Sequence, residues 1–364
     1  MKPFLGIILG TRPEIIKCAP VILEAQRRGV EVGIIHTGQH YSQELDGVFF
    51  SELNLPEPVA HVHVGSHPAP KQIGLMMERL TDALEELRPE TVLVEGDTNS
   101  VLAGALTAFK LGIPVAHLEA GLRSDDWSMP EEANRVLTDR LSKWLFCPTD
   151  LQRERLKQEG IAHDGVHVVG NTIVDAALHY SKVAYDKSDI AERLGVTQKP
   201  YVLLTMHRPS NVDDPERLRA LLASIGDAAR GCELTVVFPV HPRTKHAMEA
   251  AGITLGEPFI QTEPLGYLDL LRLQSSAGVV LTDSGGMQEE ACILRVPCVT
   301  LRANTERPET ISAGANVLYA DTDATSLVRT MKAMMEKPRD WSNPFGDGTT
   351  AGKVLDILCS GQPK

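Results

Sequence analysis

The segment LTDSGGMQEEA at 281–291 combines residue types that could hold an anion. An apolar strand is followed by a Ser-Gly-Gly turn and then by a helix predicted to begin near Met287. Gly285 and Gly286 let the backbone approach a ligand closely, and the start of a helix offers unpaired N–H groups at its positive dipole end. The segment therefore predicts a binding site for a diphosphate group, formed together with Ser284.

Two acidic residues, Glu289 and Glu290, lie just inside this predicted helix. Carboxylates in a first turn stabilise a helix by opposing its dipole, and this is the simpler interpretation of either residue alone. A carboxylate one turn past a phosphate loop can also hold ribose hydroxyls, as it does in nucleotide-binding α/β domains. The combination of turn and carboxylate predicts nucleotide recognition.

Three other carboxylates are candidates for proton transfer. Glu119 ends an apolar strand and precedes Ala-Gly, so we expect it to be partly buried, where the pKa of a carboxyl group rises. Asp97 could instead cap the helix that follows it, which is the preferred interpretation of a lone aspartate. Glu131 follows Pro130 at a helix start, where it could simply oppose the dipole, and Arg135 could form a surface ion pair with it.

Basic residues stand at two further strand ends. Arg12 and Lys17 lie in the first turns of a predicted helix, an unfavourable place for a cation, so anion binding is the preferred interpretation. His207 follows a buried strand and stands beside Arg208, which makes it a phosphate partner, a proton donor or a hydrogen-bonded structural histidine. The sequence leaves these alternatives open.

Several classes of protein are disfavoured. The first strand is followed by GTRPE at 10–14 rather than GxGxxG, so a nicotinamide mechanism is disfavoured, and neither a Walker A sequence nor HExxH occurs. The six cysteines form no CxxC pair and no metal-ligand spacing, so we expect reduced thiols and no metal. A net charge of −12 argues against nucleic-acid and membrane partners. The short apolar N-terminus and this composition predict a cytoplasmic enzyme or binding protein.

Apolar runs alternate with helical patterns twice along the 364 residues, which predicts two α/β domains with parallel doubly wound sheets. A polar stretch near 184–200 separates the two series. Because ligands bind at the carboxyl ends of parallel strands, the polar residues there predict a cleft between the domains. These strand-end groups are Gly10–Glu14, Gly38–His40, Gly96–Thr98, Glu119–Arg123, His207–Arg208, His241–Arg243 and Asp283–Gly286.

The ordered motifs closely resemble the non-hydrolysing UDP-N-acetylglucosamine 2-epimerases over nearly the whole chain. The matching blocks are GTRPEIIK (10–17), TGQHY (37–41), EGDTNSVLAG (95–104), HLEAGLRS (117–124), MPEEANRVLTD (129–139), GNTIVDA (170–176), HRPSNVDDPERL (207–218), LTDSGGMQEEA (281–291), NTERPET (304–310) and NPFGDG (343–348). The resemblance implies two Rossmann-like domains facing across a glycosyltransferase-B-like cleft. It places one domain at 1–170, with a C-terminal helix at 349–364 crossing back to it, and a UDP-binding domain at 171–348.

The resemblance also implies an activity. The family interconverts UDP-N-acetylglucosamine and UDP-N-acetylmannosamine without an added cofactor, by anti elimination of UDP to 2-acetamidoglucal and re-addition of UDP. Carboxylates would handle the C2 proton on the two faces, while cations and backbone N–H groups stabilise the departing diphosphate. A homodimer serving polysaccharide biosynthesis is expected.

Residue roles follow from the resemblance by position. The catalytic group would be Lys17, Asp97, Glu119, Glu131, Arg135 and His207, with the three carboxylates as acid/base candidates. Substrate would be bound by Arg12, His241, Ser284, Gly285, Gly286, Glu290 and Arg307. A second UDP-N-acetylglucosamine, bound as an activator, would contact Gln39, His40, Gln72 and Arg208.

Two departures from the family pattern affect binding. Lys71 stands where members with the activator site carry arginine, and Leu270 stands where relatives commonly have a phenylalanine on the uracil. At Lys71 a point charge replaces a bidentate fork in the implied activator site. Leu270 loses the stacking on the base, so we expect weaker nucleotide affinity or base selectivity.

Alternative activities remain. They are the same chemistry on a UDP-diacetamido sugar, which ERPE at 306–309 disfavours, a hydrolysing epimerase, a glycosyltransferase-B-type sugar transferase, and a nucleotide-sugar sensor without catalysis.

Overall fold

The computed structural model describes residues 4–39, 49–197 and 199–360. They form two compact units, one made of Met1–Ala176 with Phe345–Lys364 and the other of Ala177–Pro344. Each unit contains a parallel sheet with helices, so the predicted doubly wound α/β class is confirmed.

The first unit contains a sheet of seven parallel strands in the described part of the chain, in the order β3-β2-β1-β4-β5-β6-β7. Both β2 and β4 pair with β1, so the strand order reverses between β1 and β4 while all the strands stay parallel. The carboxyl ends of strands at such a switch point are the usual ligand site of an open α/β sheet. The strands are β1 Leu5–Leu9, β2 Val32–His36, β3 Ala60–His61, β4 Thr91–Glu95, β5 Val115–Leu118, β6 Trp144–Cys147 and β7 Val166–Val168.

Helices cover the first sheet. They are Arg12–Arg28, Ala69–Leu87, Asn99–Lys110, Pro130–Leu141, Asp150–Gln158 and Thr350–Ser360, and Thr172–Lys187 contains the boundary with the second unit. The C-terminal helix Thr350–Ser360 packs on Arg12–Arg28, where Arg28 Nη1 lies 2.6 Å from Asp356 Oδ1 and Nη2 donates to the Gly352 carbonyl at 3.3 Å.

The second unit repeats the design with six parallel strands in its described residues, in the order β10-β9-β8-β11-β12-β13. They are β8 Tyr201–Thr205, β9 Thr235–Pro239, β10 Phe259–Thr262, β11 Val279–Thr282, β12 Cys298–Thr300 and β13 Asn316–Leu318. Their helices are Ile190–Arg193, Pro209–Val212, Pro215–Gly231, Pro242–Ala250, Tyr267–Ser276, Gly285–Ile293, Pro308–Ser312 and Ala324–Met335.

The central strands are apolar on both faces because helices cover both sides of each sheet. Along β8, Val202 and Leu204 belong to one core of the second unit, and Tyr201 and Leu203 belong to the opposite core. This alternation follows from the two-residue period of side chains along a strand. The strand ends are consequently the positions at which polar side chains gather.

The helix that contains Arg12 and Lys17 begins at Arg12, and the Glu14 carboxylate closes its first turn by accepting from the N–H groups of Gly10 and Thr11. The helix predicted to begin near Met287 begins at Gly285, with Ser284 as its N-cap. Among the described residues, no helix has the length and apolar character needed to cross a membrane.

Candidate active site

A buried group of charges lies at the switch point of the first sheet. Lys17 Nζ lies 2.7 Å from Glu119 Oε1 and 3.2 Å from Glu95 Oε1. Asn171 Nδ2 donates to the same Glu119 oxygen at 2.7 Å. The helix Arg12–Arg28 supplies Lys17, the end of β4 supplies Glu95, and the residue after β5 is Glu119. Because Lys17, Glu95 and Glu119 are all at least nine-tenths buried, their charges interact with little screening from water.

Glu119 has a backbone conformation that non-glycine residues seldom adopt, with φ of 64°. Such a conformation costs about 1–3 kcal/mol and persists only where neighbouring contacts hold it. Here Asp139 holds the adjoining loop, since its Oδ2 accepts from Gly121 N–H at 3.2 Å and lies 2.8 Å from Arg123 Nη2. His117 bridges the same aspartate at 2.7 Å and the Gly96 carbonyl at 2.8 Å. This network links the loop of Glu119 to the turn that precedes Asp97.

Glu14 is a buried carboxylate that closes the first turn of its helix. Its oxygens accept from Gly10 N–H at 2.5 Å, Thr11 N–H at 3.3 Å and the Thr98 hydroxyl at 2.5 Å. Burial raises the pKa of Glu14 from its ordinary value of 4.5 to about 7, although these hydrogen bonds act in the opposite direction. The residue therefore titrates near neutral pH in the folded protein.

Stability should depend on pH through Glu14. Because the folded protein holds this proton more tightly than the unfolded chain, the stabilisation is complete below about pH 4.5 and is lost as the pH rises to about 7. Glu14→Gln removes the titration, so the stability of the variant relative to wild type should improve by about 3 kcal/mol from the acidic to the neutral end of this range. Urea denaturation at both pH values measures this difference.

The control for this prediction is Glu24→Gln. The Arg27 hydrogen bond lowers the pKa of Glu24 to about 2, so its titration lies below the range tested. Its stability relative to wild type should not change between the two pH values. An equally constant difference for Glu14→Gln would show that Glu14 does not titrate there.

Asp97 forms an ion pair with Arg135 in the structure. Its Oδ2 forms a short ion pair with Arg135 Nη2, and Arg135 Nη1 lies 2.9 Å from Glu132 Oε2. The proposed helix cap of Asp97 is wrong, because Thr98 is the N-cap and accepts from two first-turn N–H groups. The proposed surface pair of Arg135 with Glu131 is also wrong, since Arg135 is buried and contacts Glu132 instead. Glu131 lies in the first turn of Pro130–Leu141 and is half-buried.

In the second unit, Asp283 organises the residues that follow β8. Its carboxylate accepts from His207 N–H at 3.0 Å, Arg208 N–H at 2.9 Å and Asn211 Nδ2 at 3.2 Å. It also lies 3.3 Å from His207 Nδ1. Burial lowers the pKa of His207 below its ordinary value, against the opposing effect of the Asp283 charge. The rings of His207 and His241 lie 5.1 Å apart.

The predicted anion-binding turn is a helix N-terminus. Ser284 is the N-cap, and its N–H donates to Thr282 Oγ1 at 3.0 Å. A Cβ atom added at Gly285 or Gly286 would meet open space, so the protein leaves room beside these first-turn N–H groups. The open space and the orientation of the helix dipole suit a phosphate group.

Further along this helix, two carboxylates have protein partners. Glu289 is buried, and its Oε1 lies 2.7 Å from Arg307 Nε, so the dipole interpretation does not account for it. Glu290 lies against Tyr267, whose pKa is raised well above its ordinary value by burial and then by the Glu290 charge. Arg307, which is predicted with Glu290 to bind substrate, thus contacts the residue next to Glu290 on this helix.

The predicted residues Arg12, Gln39 and Gln72 make contacts within the first unit. Arg12 stacks over Phe49 at 4.9 Å in the first unit. Gln39 accepts from the Ser100 hydroxyl at 2.7 Å, and Gln72 donates to the carbonyls of Gln39 and Gly65 at 3.2 and 2.8 Å. The predicted activator residue His40 lies outside the described residues.

Sequence reasoning placed Glu14 and Asp283 only within the strand-end groups, and it missed Glu95, Asp139 and Asn171. Glu95 stands at a strand end, directly before Gly96, and this position was an available signal. Asn171 and Asp139 gave no such signal, because their partners Glu119 and His117 are distant in the sequence.

Two doubly wound units with strand-end sites define a glycosyltransferase-B-like α/β protein. Acinetobacter baumannii MurG shares this fold, with a TM-score of 0.56 at 14% identity over 99% of this chain and 100% of that chain. A model of the UDP-N-acetylglucosamine 2-epimerase family matches residues 23–359. The chain belongs to this family.

Relatives include the UDP-N-acetylglucosamine 2-epimerase of Methanocaldococcus jannaschii, 46% identical over 98% of this chain and 99% of the relative. A crystal structure of that enzyme in complex with UDP-GlcNAc and UDP superposes with a TM-score of 0.89, covering 98% of this chain and 99% of the other. The UDP-2,3-diacetamido-2,3-dideoxy-D-glucuronate 2-epimerase of Pseudomonas aeruginosa is 38% identical over 96% of this chain and 98% of the relative.

Proposed function

We propose that this protein reversibly interconverts UDP-N-acetylglucosamine and UDP-N-acetylmannosamine. A base removes the C2 proton, the C2–H electrons form a C1–C2 double bond, and UDP leaves with the C1–O electron pair. UDP then adds back to C1 of 2-acetamidoglucal while C2 takes a proton on its other face. Membership in the family and the substrate complex of the Methanocaldococcus jannaschii relative support this reaction.

The observation that carries the proposal is the buried pairing of Glu119 with Lys17 and Asn171. A carboxylate held in one orientation by two donors, with little surrounding water, is suited to remove a weakly acidic proton. Its strained backbone is also typical of a functional position. Asp97 and Glu131 are the further acid/base candidates, with Arg135 orienting Asp97.

The second unit is proposed to bind the UDP portion. Ser284, Gly285 and Gly286 offer the diphosphate a capped helix N-terminus, and His207 is held beside Arg208 by Asp283. Glu290 would bind the ribose, with Arg307 nearby. Positive groups and oriented N–H groups would stabilise the negative charge that develops on the leaving UDP.

The test is incubation with UDP-N-acetylglucosamine in heavy water, followed by proton NMR. We expect deuterium at C2 in both the starting sugar nucleotide and a manno product. Free UDP with free N-acetylmannosamine would indicate a hydrolysing enzyme. Binding without C2 exchange would indicate a sensor or a transferase and would contradict the proposal.

A second candidate substrate is the diacetamido glucuronate nucleotide, favoured by the Pseudomonas aeruginosa relative. Parallel heavy-water assays with both nucleotides discriminate between them, since the true substrate should exchange its C2 proton faster at equal concentration.

We further propose action in the cytoplasm, as a homodimer and in polysaccharide biosynthesis. Use of a nucleotide sugar supports the assignment to polysaccharide biosynthesis.

A further inference from the structure

The charges around Lys17 do not balance. Glu95 Oε1 and Glu119 Oε1 lie 3.2 and 2.7 Å from the same ammonium nitrogen, and both carboxyl groups are buried. Glu14 adds a third buried carboxyl on the same helix as Lys17. Burying several negative charges around one cation is costly, so the group is most stable when one carboxyl holds a proton.

Hydrogen bonds distinguish the two carboxyls that share Lys17 from each other and from Glu14. Glu14 receives three donors, from Gly10, Thr11 and Thr98, and Glu119 receives Lys17 and Asn171. Glu95 Oε1 meets Lys17 without the alignment of a hydrogen bond, and it accepts none elsewhere in the described part of the chain. Donors favour the ionised form of a carboxyl group, so Glu95 has the weakest support for a negative charge.

We propose, on the basis of the proposed function, that Glu95 is a proton-bearing positioning residue of this site. In its neutral form Glu95 leaves the Lys17 ammonium to Glu119. When Glu95 ionises, it attracts the same ammonium and weakens the ion pair of Lys17 with Glu119. Its negative charge also opposes the negative charge that develops on the substrate as the C2 proton is removed.

The surrounding charges agree with this assignment. Burial raises the pKa of Glu95 well above its ordinary value, Lys17 lowers it, and Glu119 and Glu14 raise it further. The remaining titratable neighbour on the helix is Cys18, a thiol whose pKa is itself raised well above the ordinary value by burial. Burial and the neighbouring carboxyls therefore act in the same direction as the hydrogen-bond pattern, and both favour the protonated form of Glu95.

Infrared difference spectroscopy tests the proton without any turnover. The spectrum of wild type minus Glu95→Gln should show one protonated-carboxyl band at neutral pH, and this band should disappear from wild type under alkaline conditions. Glu24→Gln is the matched control and should remove no such band, because the pKa of Glu24 is lowered to about 2. Absence of the band from the Glu95 difference spectrum overturns the proposal, whatever the protein catalyses.

The positioning role is tested by the pH profile of C2 exchange. Wild type should lose about fivefold or more of its rate as the pH is raised from neutral to alkaline, whereas Glu95→Gln should keep its own rate over the same range. An equal alkaline loss in the variant overturns the role, since the loss would then come from another group such as Lys17. If wild type exchanges no C2 proton at any pH, the proposed function is contradicted. The infrared spectra still test the proton on Glu95 in that case, because they require no turnover.

Discussion

Glu119→Gln is expected to lower the rate of C2 deuterium exchange by roughly a thousandfold, the largest effect on activity that the structure predicts. The amide keeps the size of the side chain and can still accept from Lys17 and Asn171, but it cannot take a proton. Binding of UDP should change little, because Glu119 does not belong to the second unit. NMR measures the exchange, and isothermal titration calorimetry measures the binding.

Two sets of variants complete this test. Asp97→Asn and Glu131→Gln examine the other acid/base candidates, and Glu24→Gln, near the C-terminal end of the helix Arg12–Arg28, should exchange at the wild-type rate. Full exchange in Glu119→Gln would remove Glu119 from the mechanism. Full exchange in all three carboxylate variants would overturn the assignment of proton transfer to this part of the chain.

Asp283→Ala is expected to have the largest effect on stability, a loss of roughly 3–5 kcal/mol in the free energy of unfolding. Asp283 is completely buried, and its removal leaves the N–H groups of His207 and Arg208 without their acceptor and takes one of two acceptors from the Asn211 amide. Affinity for UDP should fall as well, because His207 and Arg208 lose their fixed orientation. Urea denaturation and calorimetric titration with UDP measure the two effects.

The matched control is Asp213→Ala. Asp213 forms an ion pair with Arg243 at 2.6 Å, but its side chain is 54% exposed, so removal should cost less than about 1 kcal/mol. Asp283→Asn should fall between the two, since an amide brings a second set of N–H groups toward existing donors. A loss for Asp283→Ala no larger than that of the control would contradict the organising role of Asp283.

Much of the fold could be predicted from the sequence because the signals are local. Apolar runs such as Leu5–Leu9 and Tyr201–Thr205 are buried on both faces, and their alternation with helical segments predicts parallel sheets. The Ser-Gly-Gly turn predicts an anion site by its own backbone chemistry. The structure moved only the helix start, from Met287 to Gly285, because Ser284 caps the first turn.

The partners of the charged residues were decided by tertiary structure alone. Asp97 contacts Arg135 rather than capping a helix, and Glu289 contacts Arg307 rather than only opposing a dipole. Each pair joins residues on separate elements. The spacing of two such residues in the sequence does not predict whether the fold brings their side chains into contact.

The sequence by itself determined the α/β class, the strand ends that carry polar residues and the family resemblance. Only the tertiary structure decided that Lys17 is shared between Glu95 and Glu119 and that Asp283 holds His207. The physical reason is that periodicity and turn chemistry act over a few residues. Burial and electrostatic pairing depend on which strand ends the sheet brings together.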